Sequence, residues 1–248
     1  MKQVMVVTGG GRGIGGATAL MASRRGYAVC INYVSNGQAA ERLRAQIAGE
    51  GGEAIAVRGD MGVEDDVLAL FAAVDAQLGP VTALVNNVGV LERQCKLAEM
   101  SAERMQRVFS TNIMSAFLCA REAVKRMSTL GGGQGGGIVN LSSGAARHGG
   151  ANTYIDYAAS KGAIDVMTLG LSKEVAAEGI RVNCVRPGVT DTDIHASGGV
   201  PDRAARVASS MPMGRVAQPE EIAETILWLL GPQSSYVSGA ILDVAGAR

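Results

Sequence analysis

Short apolar runs rich in β-branched residues alternate along this chain with longer amphipathic stretches, and the alternation narrows the possible folds sharply. The runs are Val4–Val7, Ala28–Ile31, Ala54–Val57, Ala83–Val85, Ile138–Leu141, Ile180–Val185 and Ala240–Val244. Between the first two, Ile14, Ala17, Leu20 and Met21 recur at helical spacing, and Gly26 supplies a stop. Residues 63–78, 101–127 and 157–178 repeat the helical pattern. Strands apolar on both faces and separated by helices indicate a parallel sheet covered on both sides. Right-handed crossovers then give an α/β, Rossmann-type, doubly wound sheet of seven strands. No repeat or linker divides the 248 residues, so residues 1–248 are expected to form a single domain.

Bulk properties exclude several classes of function. Lys plus Arg number 23 and Asp plus Glu 23, so a chain of zero net charge has no electrostatic reason to seek nucleic acid or an anionic membrane. No stretch approaches the ~18 apolar residues of a membrane-spanning helix, and the opening apolar run is too short for a signal peptide. Cys30, Cys95, Cys119 and Cys184 lack metal-like spacing and read as packed thiols in a reducing compartment, which makes the cytoplasm the default location. His148 and His195, the only histidines, lack metal partners at suitable spacing, so no metal site is expected. The run Gly131–Gly137 reads as a flexible surface loop.

The first strand runs directly into Thr8-Gly9-Gly10-Gly11-Arg12-Gly13-Ile14-Gly15. Glycines there let a pyrophosphate approach the main chain, and a helix starting near Gly13 would present free N–H groups to it. This G-x-x-x-G-x-G spacing resembles the short-chain dehydrogenase/reductase family of the Tyr-x-x-x-Lys type, and the resemblance covers essentially the whole chain. Asn86-Asn87-Val88-Gly89 follows the fourth strand, with Val88 where the family usually has Ala. Ser143 ends the fifth strand, Tyr157-Ala158-Ala159-Ser160-Lys161 matches the signature, and Arg186-Pro187-Gly188 follows the sixth strand. Asp243-Val244-Ala245-Gly246-Ala247 resembles the terminal D-x-x-G-G, with Ala247 replacing the last glycine.

The resemblance implies catalytic roles for Asn112, Ser143, Tyr157 and Lys161, with Asn112 ordering a relay water and Lys161 also holding the nicotinamide ribose. Physical chemistry gives the lysine a task. Residues four apart share one helix face. An ammonium about 4 Å from a phenol at an effective dielectric of about 20 stabilises the phenolate by roughly 4 kcal/mol, enough to bring tyrosine close to neutrality. Ser143, rather than its neighbour Ser142, would then donate to the substrate oxygen. Tyr154 has no lysine four residues on and reads as a pocket wall.

For the cofactor, the expected contacts are Gly9, Arg12, Gly13, Ile14, Gly15, Asn32, Ser35, Asp60, Met61, Asn87, Gly89, Pro187, Gly188, Thr190 and Thr192, together with Tyr157 and Lys161. The second strand ends at Asn32-Tyr33 with no carboxylate to repel a 2′-phosphate, and Arg12 offers a charge-assisted partner for one. NADP(H) is therefore expected, with NAD(H) as the alternative. The partner is a small carbonyl or alcohol, in a pattern similar to 3-oxoacyl-carrier-protein reductases or glucose and sugar-alcohol dehydrogenases. Residues 190–213 form the expected substrate loop, with His195 a candidate contact. By resemblance, the long helices pair subunits into a homotetramer, with a dimer as the second expectation. A cofactor-binding sensor without turnover is the rival reading, and the intact Asn112, Ser143, Tyr157 and Lys161 set argues against it.

Overall fold

A computed structural model describes residues 2–200 and 202–247, apart from the side chain of His195. The first half comprises β1 (Gln3–Val7), α1 (Gly13–Arg24), β2 (Tyr27–Tyr33), α2 (Gly37–Gly49), β3 (Ala54–Arg58), α3 (Glu64–Gln77), β4 (Ala83–Asn86), α4 (Ala102–Phe109) and α5 (Ser115–Met127). The second comprises β5 (Gly136–Leu141), α6 (Ala145–His148), α7 (Ile155–Glu174), β6 (Ile180–Pro187), α8 (Ile194–Ser197), α9 (Arg203–Val207), α10 (Pro219–Leu230) and β7 (Ile241–Val244). The seven strands lie parallel in the order β3-β2-β1-β4-β5-β6-β7.

Successive strand residues feed two different cores. On β1, Val4 and Val6 join one cluster while Met5 and Val7 join the other; on β2, Ala28 and Cys30 separate from Val29 and Ile31 in the same way. This is the period-two geometry of a strand with helices on both faces. The order reverses between β1 and β4, and a doubly wound sheet binds its ligand in the crevice beyond the carboxyl ends of strands at such a point.

The run Gly131–Gly137 departs from the expected flexible loop. The Gly133 N–H donates to the Ser128 carbonyl at 2.8 Å and the Gly135 N–H to the Met127 carbonyl at 2.7 Å, while Gly136 and Gly137 already belong to β5. Glycine here permits a close wrap of backbone on backbone. No helix among the described residues is long and apolar enough to cross a membrane.

Candidate active site

A cavity of about 920 Å³ opens over the carboxyl ends of the central strands. Its floor begins with the glycine loop. The Thr8 hydroxyl accepts from the Asn87 N–H at 3.0 Å, and the Asn87 side-chain amide donates to the carbonyls of Thr8 and Gly9 at 3.0 and 3.1 Å. The β1 and β4 loops are thereby locked together. Gly15 packs α1 onto this lock: a Cβ there would lie 2.5 Å from Asn87 Nδ2. Gly15 itself does not line the cavity, and close packing is the part the geometry shows for it.

Gly9, Arg12, Gly13, Ile14, Asn32, Ser35, Asp60, Asn87, Gly89, Pro187, Gly188, Thr190 and Thr192 all line the cavity, as do Ser143, Tyr157 and Lys161. Two expectations at this end need correction. Asn32, read as a donor to a 2′-phosphate, is fully buried, with its Oδ1 accepting from the Gly9 N–H at 3.1 Å and its amide donating to the Gly59 carbonyl at 2.9 Å. Its amide also donates to the Val57 carbonyl at 3.4 Å, so it ties the glycine loop to β3 with both amide N–H groups used inside the protein. Met61, expected at the adenine edge, is a fully buried core residue whose side chain does not reach the cavity. Arg12 pairs with Asp193, in the segment 190–213, at 3.3 Å, in solvent.

Deeper in, α7 presents Tyr157 and Lys161 from successive turns. Lys161 is buried, donates to the Leu141 carbonyl at 2.7 Å, and places its Nζ 5.7 Å from the Tyr157 ring centroid. Gly89 makes room for it, since a Cβ there would stand 3.2 Å from Nζ. Ser142 donates its hydroxyl to the Lys161 carbonyl at 2.9 Å, whereas Ser143 hydrogen-bonds with Tyr157 and accepts from the Ala145 N–H at 3.1 Å. Both serines line the cavity, and it is Ser143 whose hydroxyl bears on the proton affinity of the phenol, while that of Ser142 is spent on the Lys161 carbonyl.

Electrostatics overturn one step of the sequence argument. Burial pushes the Tyr157 phenol up to about 12, opposed only by its hydrogen bond with Ser143. The expected lowering by Lys161 is absent. The ring sits among Leu91, Ala145, Tyr154 and Ala158, and the lysine, itself pushed down to about 8 by burial, points at a carbonyl. Desolvation outweighs the cation in this state of the protein.

Asn112 is also placed differently from expectation. It lies in a π-helical turn, Ser110–Met114, between α4 and α5. Its Oδ1 accepts from the Val90 N–H at 2.7 Å, and its amide donates to the Val90 carbonyl and to Ser160 Oγ at 3.1 and 3.0 Å. The side chain does not line the cavity; its hydrogen bonds clamp α7 to the loop after β4.

Sequence reasoning missed the support beneath Tyr157. Arg104 on α4 makes a bidentate pair with buried Asp156 at 2.7 and 3.2 Å, and Asp156 Oδ1 accepts the Tyr157 N–H at 2.9 Å. An acid in the first turn of the catalytic helix, one residue before the tyrosine, was the available signal. The same guanidinium lies 2.9 Å from Cys95 Sγ, so this thiol has a cationic neighbour that was not foreseen. Tyr154 stands edge-on to Tyr157 at 5.8 Å and forms the expected wall. No group of residues suited to a metal occurs among the described residues, and the His195 side chain lies outside them.

The family model described as enoyl-(acyl carrier protein) reductase matches residues 9–246. The chain is 53% identical over 245 residues to YgfF, an uncharacterized oxidoreductase of Escherichia coli strain K12, covering 99% of each protein. It is 39% identical to cis-4-hydroxycyclohexanecarboxylate dehydrogenase of Sinomonas cyclohexanicum, covering 99% of this chain and 96% of that protein. The solved structure of a blue fluorescent protein from a metagenomic library, in complex with NADPH, superposes with a TM-score of 0.90 at 32% identity, covering 99% of this chain and 97% of that one. With the parallel sheet, the glycine loop and the Tyr157–Lys161 pair, these matches make the chain a member of the short-chain dehydrogenase/reductase family of oxidoreductases.

Proposed function

We propose that this protein is an NADP(H)-dependent oxidoreductase that interconverts a carbonyl and a secondary alcohol, with Tyr157 as the general acid and base. One observation carries the reading: Ser143, Tyr157 and Lys161 meet in the same cavity as the glycine loop and the end of β2. The residues fit a dinucleotide, because the loop backbone around Gly9 and Gly13 borders the cavity where α1 begins, and a helix N-terminus favours phosphate. When bound, the nicotinamide supplies or accepts the hydride. Gly9, Arg12, Gly13 and Ile14 would hold the phosphates and Lys161 the ribose, with Pro187, Gly188, Thr190 and Thr192 closing the nicotinamide end.

In reduction, Ser143 donates to the carbonyl oxygen as negative charge grows there, and Tyr157 delivers the proton. A phenol pushed up to about 12 keeps that proton at neutral pH and is a ready donor. In oxidation, the same hydroxyl receives the proton. The NADP(H) preference rests on Arg12, exposed Ser35 and a β2 end without a carboxylate. A homotetramer is supported by exposed Phe109, Met114 and Phe117 around the π-turn and Val166 and Leu169 on α7, with a dimer second. Four free cysteines suit a cytoplasmic location.

The test is an NADPH-consumption screen over ketones, aldehydes, sugars and acyl thioesters, repeated with Tyr157→Phe. The variant is expected to bind NADPH and to lose at least ~100-fold in rate. Unchanged turnover would remove Tyr157 from its role.

A further inference from the structure

Beyond the glycine loop, the cationic and imidazole side chains lining the cavity belong to Arg147, His148, Lys161 and Arg203. Three are accounted for within the protein. Arg147 pairs with Asp243 at 3.0 Å, His148 Nδ1 accepts from the Gly150 N–H at 3.2 Å, and Lys161 serves the reacting pair. Arg203, on α9, differs. Its Nη2 donates to the Tyr154 hydroxyl at 2.8 Å and its Cζ lies 5.5 Å from that ring centroid, but none of the ion pairs among the described residues includes it. The nearest loop acids are engaged elsewhere, Asp193 with Arg12 and Asp202 with Arg206.

A half-buried guanidinium whose fork has no side-chain or backbone partner but the Tyr154 hydroxyl among the described residues is suited to a carboxylate, which it grips through two parallel hydrogen bonds. Its place in the wall sets the spacing. Tyr154 touches both groups, its ring centroid 5.5 Å from Arg203 Cζ and 5.8 Å from the Tyr157 ring centroid, and no contact between Arg203 and Tyr157 occurs among the described residues. We propose that the substrate carries a carboxylate several carbons away from its reacting carbonyl or alcohol carbon, and that Arg203 binds that carboxylate. The inference rests on the hydride-transfer reading and names its substrate class. An α-oxo acid, whose two groups sit on adjacent carbons, is too short to serve both residues. The same contact joins α9 to Tyr154, so an acidic substrate would bridge the substrate loop and the catalytic helix.

The experiment compares straight-chain oxo acids of increasing separation between ketone and carboxylate, each beside its methyl ester, with NADPH and the full-length protein. Wild type is expected to favour an acid over its ester by about tenfold or more in kcat/KM, the size of one charge-assisted contact. Arg203→Met should raise KM for the acid about tenfold, leave kcat within about threefold, and leave the ester unaffected. Arg203→Lys, which keeps the charge, should retain the preference and keeps the test readable should the Met variant misfold. Equal constants for acid and ester in wild type, or an Arg203→Met loss that strikes both alike, would overturn the carboxylate assignment while leaving hydride transfer intact. No turnover of acids, esters or neutral ketones would remove both.

Discussion

The floor of the cavity and its roof are built on different principles. On the floor, Asn87 and Lys161, with Thr8, Asn112 and Ser160 packed beneath them, have their polar atoms paired inside the protein, and Asn112, Ser160 and Lys161 are buried. On the roof, residues 190–213 are joined to the rest by backbone pairing of Thr190 and Asp191 with Ala217, by the solvent-exposed Arg12–Asp193 pair and by Arg203 against Tyr154. Exposed pairs contribute little, about 0–1 kcal/mol, whereas buried and fully paired networks fix geometry. On the proposed hydride-transfer reading, the difference would place reaction chemistry on a preorganised floor and substrate choice on a more weakly tethered roof.

The comparison breaks most readily at Lys161. Lys161→Met should lower turnover at least about 100-fold with little loss of fold, measured by steady-state rates beside thermal melting. Its charge gives a pH signature. Burial pushes the lysine down to about 8, so it is charged below that pH and neutral above, while Tyr157 stays protonated throughout. The kcat/KM for reduction should therefore be flat up to pH 8 and fall above it, and a profile level to pH 10 would remove the lysine's charge from the mechanism.

Stability sharpens the contrast next. Arg104→Met strands the buried Asp156 carboxylate and should cost about 3–5 kcal/mol in denaturant unfolding. On the roof, Asp193→Asn should change stability by less than about 1 kcal/mol, and by freeing Arg12 it should tighten NADPH binding without affecting NADH. A further effect of similar size concerns the terminal motif. Ala247 occupies the left-handed region at φ 67°, where an L-residue is strained, so Ala247→Gly should stabilise by about 1 kcal/mol.

Strands and most helices were legible because hydrophobic periodicity reports directly on burial. The helix α2 left too faint a trace: Gln38, Glu41, Arg42, Arg44 and Gln46 dominate it, and only Ala40 and Ile47 are buried. At the site, the residue types and their order were readable. Where each side chain directs its hydrogen bonds was not. Asn32 and Asn112 carry ligand-like chemistry in sequence, yet both tie backbone segments together, and only the approach of Gly9 and Val90 in space reveals it. The same applies to Tyr157. Spacing placed it beside a cation, but its proton affinity depends on how much water the surrounding apolar walls exclude.

A crystal structure with NADP⁺ tests the central claim most directly. The account predicts the Tyr157 hydroxyl facing the reactive ring carbon, with Ser143 beside it and the Lys161 amine turned inward to the ribose. A phenol directed away from the ring, or an amine swung out into solvent, would contradict it.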